Sequence, residues 1–219
     1  EIISILQFRF PEISGPRGED ICYATTNRQN AVKHIARQCD IVLVVGAENS
    51  SNSKRLVEVA ERAGAARGRL VADVGAIDWD EIDNATHVGL VFPAHGVSRA
   101  VVAEADRRNM IAVDATCPLV TKVHVETRRH AAQRKHVLLI GHAGHPEVEG
   151  TMGQVDSGEI TLVETAEDAR TVTPPEDADL AFATQTTLSV DDTAEIISIL
   201  QFRFPEISGP RGEDICYAT

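Results

Sequence analysis

Residues 40–64 read DIVLVVGAENSSNSKRLVEVAERAG. DIVLVVG is a short, nearly all-apolar strand, the pattern of a strand buried on both faces. NSSNSKRLVEVAERAG begins on polar capping residues, runs as a helix and stops at Gly64. Strand, polar turn and helix therefore follow one another within 25 residues. That unit predicts an α/β fold with parallel strands joined through helices.

The same rhythm extends in both directions. Upstream, TTNRQNAVKHIARQC (25–39) reads as a helix, with Thr26 as N-cap and Gln29 three residues later. Downstream, RLVADVG (69–75) is a strand and 75–87 a connector. HVGLVFP, MIAVDAT, HVLLIG, EITLV and ADLAFAT are further strands. SRAVVAEADRR, PLVTKVHVETRRHAAQR, the short TAEDAR and TLSVDDTAEIISILQFRF are helices, the last capped by Ser189 and stopped by Pro205. The prediction is a set of small repeated modules with mostly parallel sheets flanked by helices. In such sheets functional groups collect beyond the carboxyl ends of the strands. The polar motifs sit after LVVG, LVFP, VDAT, LLIG and AFAT.

Bulk properties narrow the function. The 219 residues are 43% hydrophobic and 4% aromatic, so the core is expected to be aliphatic. A net charge of −12 argues against a nucleic-acid partner. No apolar run approaches the length of a membrane span, and no signal peptide is visible, so a cytoplasmic protein is expected. Neither GxGxxG nor GxxxxGK[ST] occurs, leaving dinucleotide and P-loop sites without motif support.

Residues 1–25 and 195–219 are identical, EIISILQFRFPEISGPRGEDICYAT. Each copy is complete on one side only. The second has its helix cap, Ser189 to Ala194. The first has the capped helix that follows Cys22. Cys22 is therefore expected to be better placed than Cys216, with 215–219 frayed. The repeat fits either a permuted, partly deleted chain or a sequence closed on itself. Identity that stops mid-motif at both ends favours the second.

The polar motifs carry several chemistries. Cys117 in DATCPLVTKVH lies between a strand and a helix start, where thiolate is favoured, and Cys22 has a similar setting. Metal or cluster ligation, a catalytic thiol and an inert buried thiol all remain open. Cys39, between a helix and a strand, reads as core. His142, His145, Glu147 and Glu149 in HAGHPEVE could bind zinc, relay protons, or form a solvated loop. His95 in PAHGVS lies at another strand end. Ser50, Asn52 and Ser53 are helix caps or anion donors, and Thr186 and Thr187 share that ambiguity.

DATCPLVTKVH, GHAGHPEVEGTMGQ, TQTTLSVDDT, RFPEISGPRGEDICYATTNRQNAVK and NSSNSKRLVEVA together resemble the 4-hydroxy-3-methylbut-2-enyl diphosphate reductase family. The resemblance implies an incomplete version of a three-module α/β fold. It implies reductive dehydroxylation of that diphosphate to isopentenyl and dimethylallyl diphosphate on an oxygen-sensitive [4Fe–4S] cluster held by three cysteines. Cys22 and Cys117 match two cluster ligands, with Cys216 a second copy of the first. Glu147 matches the residue that helps deliver a proton, Thr186 belongs to its hydrogen-bond network, and His145 matches a pocket histidine. His95, Ser50 and Asn52 match substrate contacts. A ferredoxin or flavodoxin-type electron donor is implied as partner.

The resemblance also implies a permuted order. Residues 1–19 are the duplicated inter-module segment, 20–85 a C-terminal-type module and 86–116 a remnant of the N-terminal type. Residues 117–212 are the middle type, and 213–219 begin the C-terminal type again. The family's GFCxGV-like first cysteine, its early HN histidine and its ASAPE-type segment have no match. The third cluster cysteine is thus missing. Reductase activity of this chain is expected to be weak or absent, and faces left uncovered by the lost module are expected to promote self-association. The alternatives are a non-catalytic α/β module that binds a diphosphate, and a structural zinc protein using His142, His145 and the cysteines.

Overall fold

The computed structural model describes residues 8–10, 23–46, 48, 50–72, 77, 82 and 87–210. Expectations that fall on Cys22, Cys216 and the frayed end lie outside the described residues.

Two parallel sheets organise these residues. The first contains β1 (Ile41–Val45), β2 (Arg67–Val71), β3 (Val88–Phe92) and β4 (Ile111–Asp114) in the order β2-β1-β3-β4. The run IVLVV is wholly buried because β1 lies between two strands and under helices on both faces. Its side chains alternate between two cores. Val42 and Val44 join Val32 and Ile35 of helix α1 (Tyr23–Ala36) and Leu56 and Val59 of helix α2 (Ser51–Ala63). Ile41, Leu43 and Val45 join Leu90, Phe92 and Ala105 of helix α3 (Arg99–Arg107) on the other face. Ile77 and Ile82, from the expected connector, are buried in that second core.

The second sheet contains β5 (His136–Ile140), β6 (Ile160–Val163) and β7 (Leu180–Thr184), ordered β6-β5-β7. Helices α4 (Pro118–Ala132) and α5 (Pro146–Met152) cover one face, where Val123 and Val148 meet Val137 and Leu139. Helices α6 (Ala166–Thr171) and α7 (Val190–Arg203) cover the other, where Ala169, Ile196 and Leu200 meet Leu138 and Ile140. Every described strand pairing is parallel.

Several boundaries differ from the sequence reading. Helix α1 starts at Tyr23, so Thr26 lies in its first turn rather than capping it. Strand β2 is Arg67–Val71, beginning two residues before the expected 69, because its register follows the whole length of β1. The sequence stretches 20–85 and 86–116 share one sheet through the β1–β3 pairing, while the chain after Cys117 builds the other.

The repeated segment occupies a built seat in its second copy. Helix α7 buries Ile196 and Leu200, and Arg203 donates to the carbonyls of Ala169 and Val172 at 2.6 and 2.8 Å. The chain then runs beside β7, where Phe182 N–H donates to Ser208 O and Ser208 N–H to Leu180 O. Of the first copy residues 8–10 and 23–25 are described, the latter as the start of α1. Phe8 is 91% and Phe10 52% exposed.

Candidate functional site

The loops after β1, β3, β4, β5 and β7 carry the candidate residues, beyond the carboxyl ends of the strands as parallel sheets dictate. Those after β1, β3 and β5 meet at a cleft of about 570 Å³ lined by Ser50, His95, His142, Ala143, Gly144, His145 and Pro146. A neighbouring hollow of about 430 Å³ shares Gly144 and Pro146 and reaches Gly46, Gly96 and Glu149.

Glycines let the two sheets approach at this place. Gly96 adopts φ +74°, and a Cβ there would lie 2.4 Å from the His124 ring. A Cβ on Gly150 would meet the backbone of His95 and Gly96 at 3.3–3.4 Å, and one on Gly153 would lie 2.2 Å from Ser98 Cβ. The turn after β3 is therefore clamped between α4 and α5. Arg99 N–H donates to Gly153 O at 3.0 Å, and Gln154 Nε2 donates to Val97 O at 2.7 Å.

Glu147 is 1% exposed. Thr186 satisfies both its oxygens: the backbone N–H donates to Oε1 at 2.6 Å and the hydroxyl to Oε2 at 3.0 Å. Burial raises the carboxyl above its ordinary value against the two Thr186 bonds, which favour the anion. The group is thus disposed to hold a proton at a buried carboxyl with a hydroxyl partner.

His145 caps α5, and its Nδ1 accepts the Glu147 N–H at 3.1 Å. With Nδ1 accepting, the neutral ring carries its proton on Nε2. The His95 and His145 rings meet edge to face, with centroids 5.4 Å apart. Burial lowers the basicity of both; the Arg28 charge adds to this at His95, and neighbouring His95 and His142 add to it at His145. His95 and His145 are therefore disposed to stay neutral at neutral pH.

Ser50 lines the cleft and also caps α2, accepting from Ser53 N–H at 3.2 Å and Ser53 Oγ at 3.0 Å. The capping reading and the cleft position thus hold together. Asn52 lies one residue inside α2 and is not among the lining side chains. Thr187, exposed, accepts from Gln185 Nε2 at 2.9 Å. Cys39 is buried in the first core, as expected of a structural thiol.

Cys117 is the N-cap of α4, partly exposed, with its N–H donating to Ala94 O at 2.9 Å beside His95. It is the one thiol that the described residues bring to this region. Among them no group of three His, Cys, Asp or Glu side chains is placed to hold a metal ion. A cluster bound through three thiolates is therefore not matched by the described residues. For the zinc reading on His142, His145 and the cysteines, His145 Nδ1 is engaged by the Glu147 N–H, and Cys22 and Cys216 lie outside the described residues.

Four contributors had no signal of their own in the sequence. Buried Gln185 accepts the His142 N–H at 3.1 Å and orders that loop, while Gln154 ties α5 to the turn after β3. Arg28 and His124 lie within helical patterns and reach the site only through tertiary packing. Among the described residues no helix is long and apolar enough to cross a membrane.

Comparison with known proteins matches these features to one family. The sequence model described as LytB protein matches residues 1–91 and 90–219. A 4-hydroxy-3-methylbut-2-enyl diphosphate reductase of Gluconobacter oxydans is 49% identical over 211 residues, covering 94% of this chain and 59% of that protein. The reductase of Hyphomonas neptunium is 59% identical over 147 residues, covering 67% of this chain and 47% of its own length. Among solved structures, the E-1-hydroxy-2-methyl-but-2-enyl-4-diphosphate reductase of Plasmodium falciparum superposes with a TM-score of 0.73 at 31% identity. That match covers 93% of this chain and 59% of the other. The chain thus spans about half to three fifths of the length of these relatives. With its parallel sheets and the assembled Glu147–Thr186 and His95–His145 pairs, the chain belongs to the LytB protein family.

Proposed function

We propose that this chain carries the anion-binding and proton-holding part of a 4-hydroxy-3-methylbut-2-enyl diphosphate reductase site, without supporting normal turnover. The observation that carries the reading is the buried Glu147 carboxyl, paired to Thr186 and adjoining a cleft lined by Ser50, His95 and His145. A diphosphate is a multiple hydrogen-bond acceptor. Hydroxyl, imidazole N–H and helix N-terminal donors bind it without a basic surface. Glu147 would hold the proton that a leaving hydroxyl requires, and Thr186 would fix that carboxyl's orientation.

The proposed substrate is the diphosphate named in the relatives, and the proposed domain order is the permuted one, with 20–85 and 86–116 drawn from different modules of the family. Cys117, with Cys22 and its copy Cys216, is assigned to cluster ligation by the resemblance alone. An active form would draw electrons from a ferredoxin or flavodoxin-type donor. The proposed setting is the cytoplasm, where such thiols stay reduced.

Titration with inorganic pyrophosphate and with the substrate, followed by anaerobic reconstitution with iron and sulfide, tests the reading. Binding of both anions with little or no substrate-dependent electron uptake is the expected result. Robust turnover by a purified monomer would refute the inactive-fragment half. Absence of any anion binding would refute the binding half.

A further inference from the structure

We propose that Arg28 is a positioning residue of the cleft: its side chain locks the loop between β4 and α4, which carries Cys117, onto helix α1. Arg28 Nε donates to the carbonyl of Ala115 at 2.6 Å, across 87 residues of sequence. Ala115 is buried and stands two residues before Cys117. The loop is held at two further points. Thr116 N–H donates to Asp114 Oδ1 at 2.9 Å, and Cys117 N–H donates to Ala94 O at 2.9 Å. Since Ala94 precedes His95, a continuous path of hydrogen bonds and backbone runs from α1 through residues 115–117 to the His95 turn.

The choice of arginine has a second consequence. The bond to Ala115 uses one of five guanidinium N–H donors and leaves the charge permanent. Burial lowers the basicity of His95 and His145, so these two rings are disposed to supply donors rather than charge. Arg28 is the cation whose field acts on His95. An anion in the cleft would be bound by neutral donors and stabilised by that fixed charge.

The inference takes its ligand from the function proposed above, but its main readouts do not depend on that ligand. The test compares Arg28→Gln and Arg28→Lys with the unaltered 219-residue chain. It uses amide NMR shifts, the titration of His95 and binding of inorganic pyrophosphate. His142 and His145 after β5, His124 on α4, Glu147 and Glu149 on α5, and Asp114 and Cys117 beside the loop are further titratable groups of this region, and both variants retain them.

Arg28→Gln should shift the Ala115, Thr116 and Cys117 amides. It should raise the His95 midpoint toward, but not to, its ordinary value, because burial persists. It should also weaken pyrophosphate about tenfold, the scale of losing one nearby fixed charge. Arg28→Lys should restore the His95 midpoint and most of the affinity while the loop amides stay displaced. A variant with unchanged loop amides and an unchanged His95 midpoint would overturn the inference. Absence of pyrophosphate binding by the unaltered chain would overturn the functional reading alone, since the amides and His95 still decide the role of Arg28.

Discussion

Glu147 and His124 are both buried ionisable groups, and burial moves them in opposite directions. The Glu147 carboxyl is raised by burial against the two Thr186 bonds. Its folded state keeps a proton that the unfolded chain has lost. The associated stability is full below the ordinary carboxyl range and declines as pH rises through the raised value. Glu147→Gln retains an oxygen for the Thr186 N–H and an amide for the Thr186 hydroxyl, yet cannot ionise. Urea denaturation from pH 4 to 8 should show that decline in the unaltered chain and not in the variant; equal slopes would refute it. The His124 ring is pushed down to about 4 by burial first and by Arg128 second, with Asp114 opposing. Its stability contribution is present above the ordinary value of 6.5 and lost as pH falls toward about 4. The full difference is on the order of 3 kcal/mol at roughly 1.4 kcal/mol per pH unit. His124→Gln should flatten that acid limb, measured by the same denaturation series. His124 Nε2 has no hydrogen-bond partner among the described residues, so a charged ring there would be poorly compensated.

At the scale of elements, short helix ends and glycine contacts decide the site's shape. Ser50 has two roles, the cap of α2 and a wall of the cleft, whereas Thr165 caps α6 through a capping box with Asp168 away from the cleft. Ser50→Ala and Thr165→Ala should each cost about 1 kcal/mol of stability. Only Ser50→Ala should also weaken pyrophosphate, and calorimetric titration separates the two effects. Equal affinity in both variants would remove Ser50 from the binding set. Gly153 has an ordinary negative φ of −74°, so alanine is allowed by its backbone and the penalty is purely one of contact. The added methyl would collide with Ser98 and force α5 away from the turn that carries His95. Gly153→Ala should cost about 1–3 kcal/mol by overpacking. It should also displace the Ser98 and Arg99 amides; unshifted amides would show that the clamp is loose. The capping residues of α2 were readable from the sequence because caps are local, whereas the Thr165–Asp168 capping box of α6 came from the structure. The α1 start was misjudged because Thr26 followed by Gln29 imitates a capping box inside a helix that begins three residues earlier.

At the scale of the molecule, the repeat and the exposed aromatics belong together. Phe8, Phe10 and Phe202 expose 91, 52 and 88% of their surface, and all three lie in the repeated ILQFRF. Exposed rings of this size favour association in water. The full chain should sediment as dimers or larger species at micromolar concentration, and Phe8→Ser with Phe202→Ser should shift it toward monomer. A monodisperse monomer in the unaltered chain would refute this. The Ser208 bridge to β7 shows that the second copy is used structurally as well as repeated.

The α/β class, the parallel strands, most helix spans and the strand-end positions of the polar motifs were legible in the sequence alone. They follow from periodicity and capping, which act over a few residues. The family was legible too, because its motifs are long. Tertiary structure alone decided that β1 and β3 pair in one sheet, and that Thr186 closes on Glu147 across 39 residues. It alone decided that His95 meets His145 and that Arg28 reaches Ala115. These contacts join residues distant in the chain, and their geometry depends on how two sheets pack through glycines. No local pattern encodes that packing, which is why Cys117 could be placed at a helix start from sequence while its partners could not.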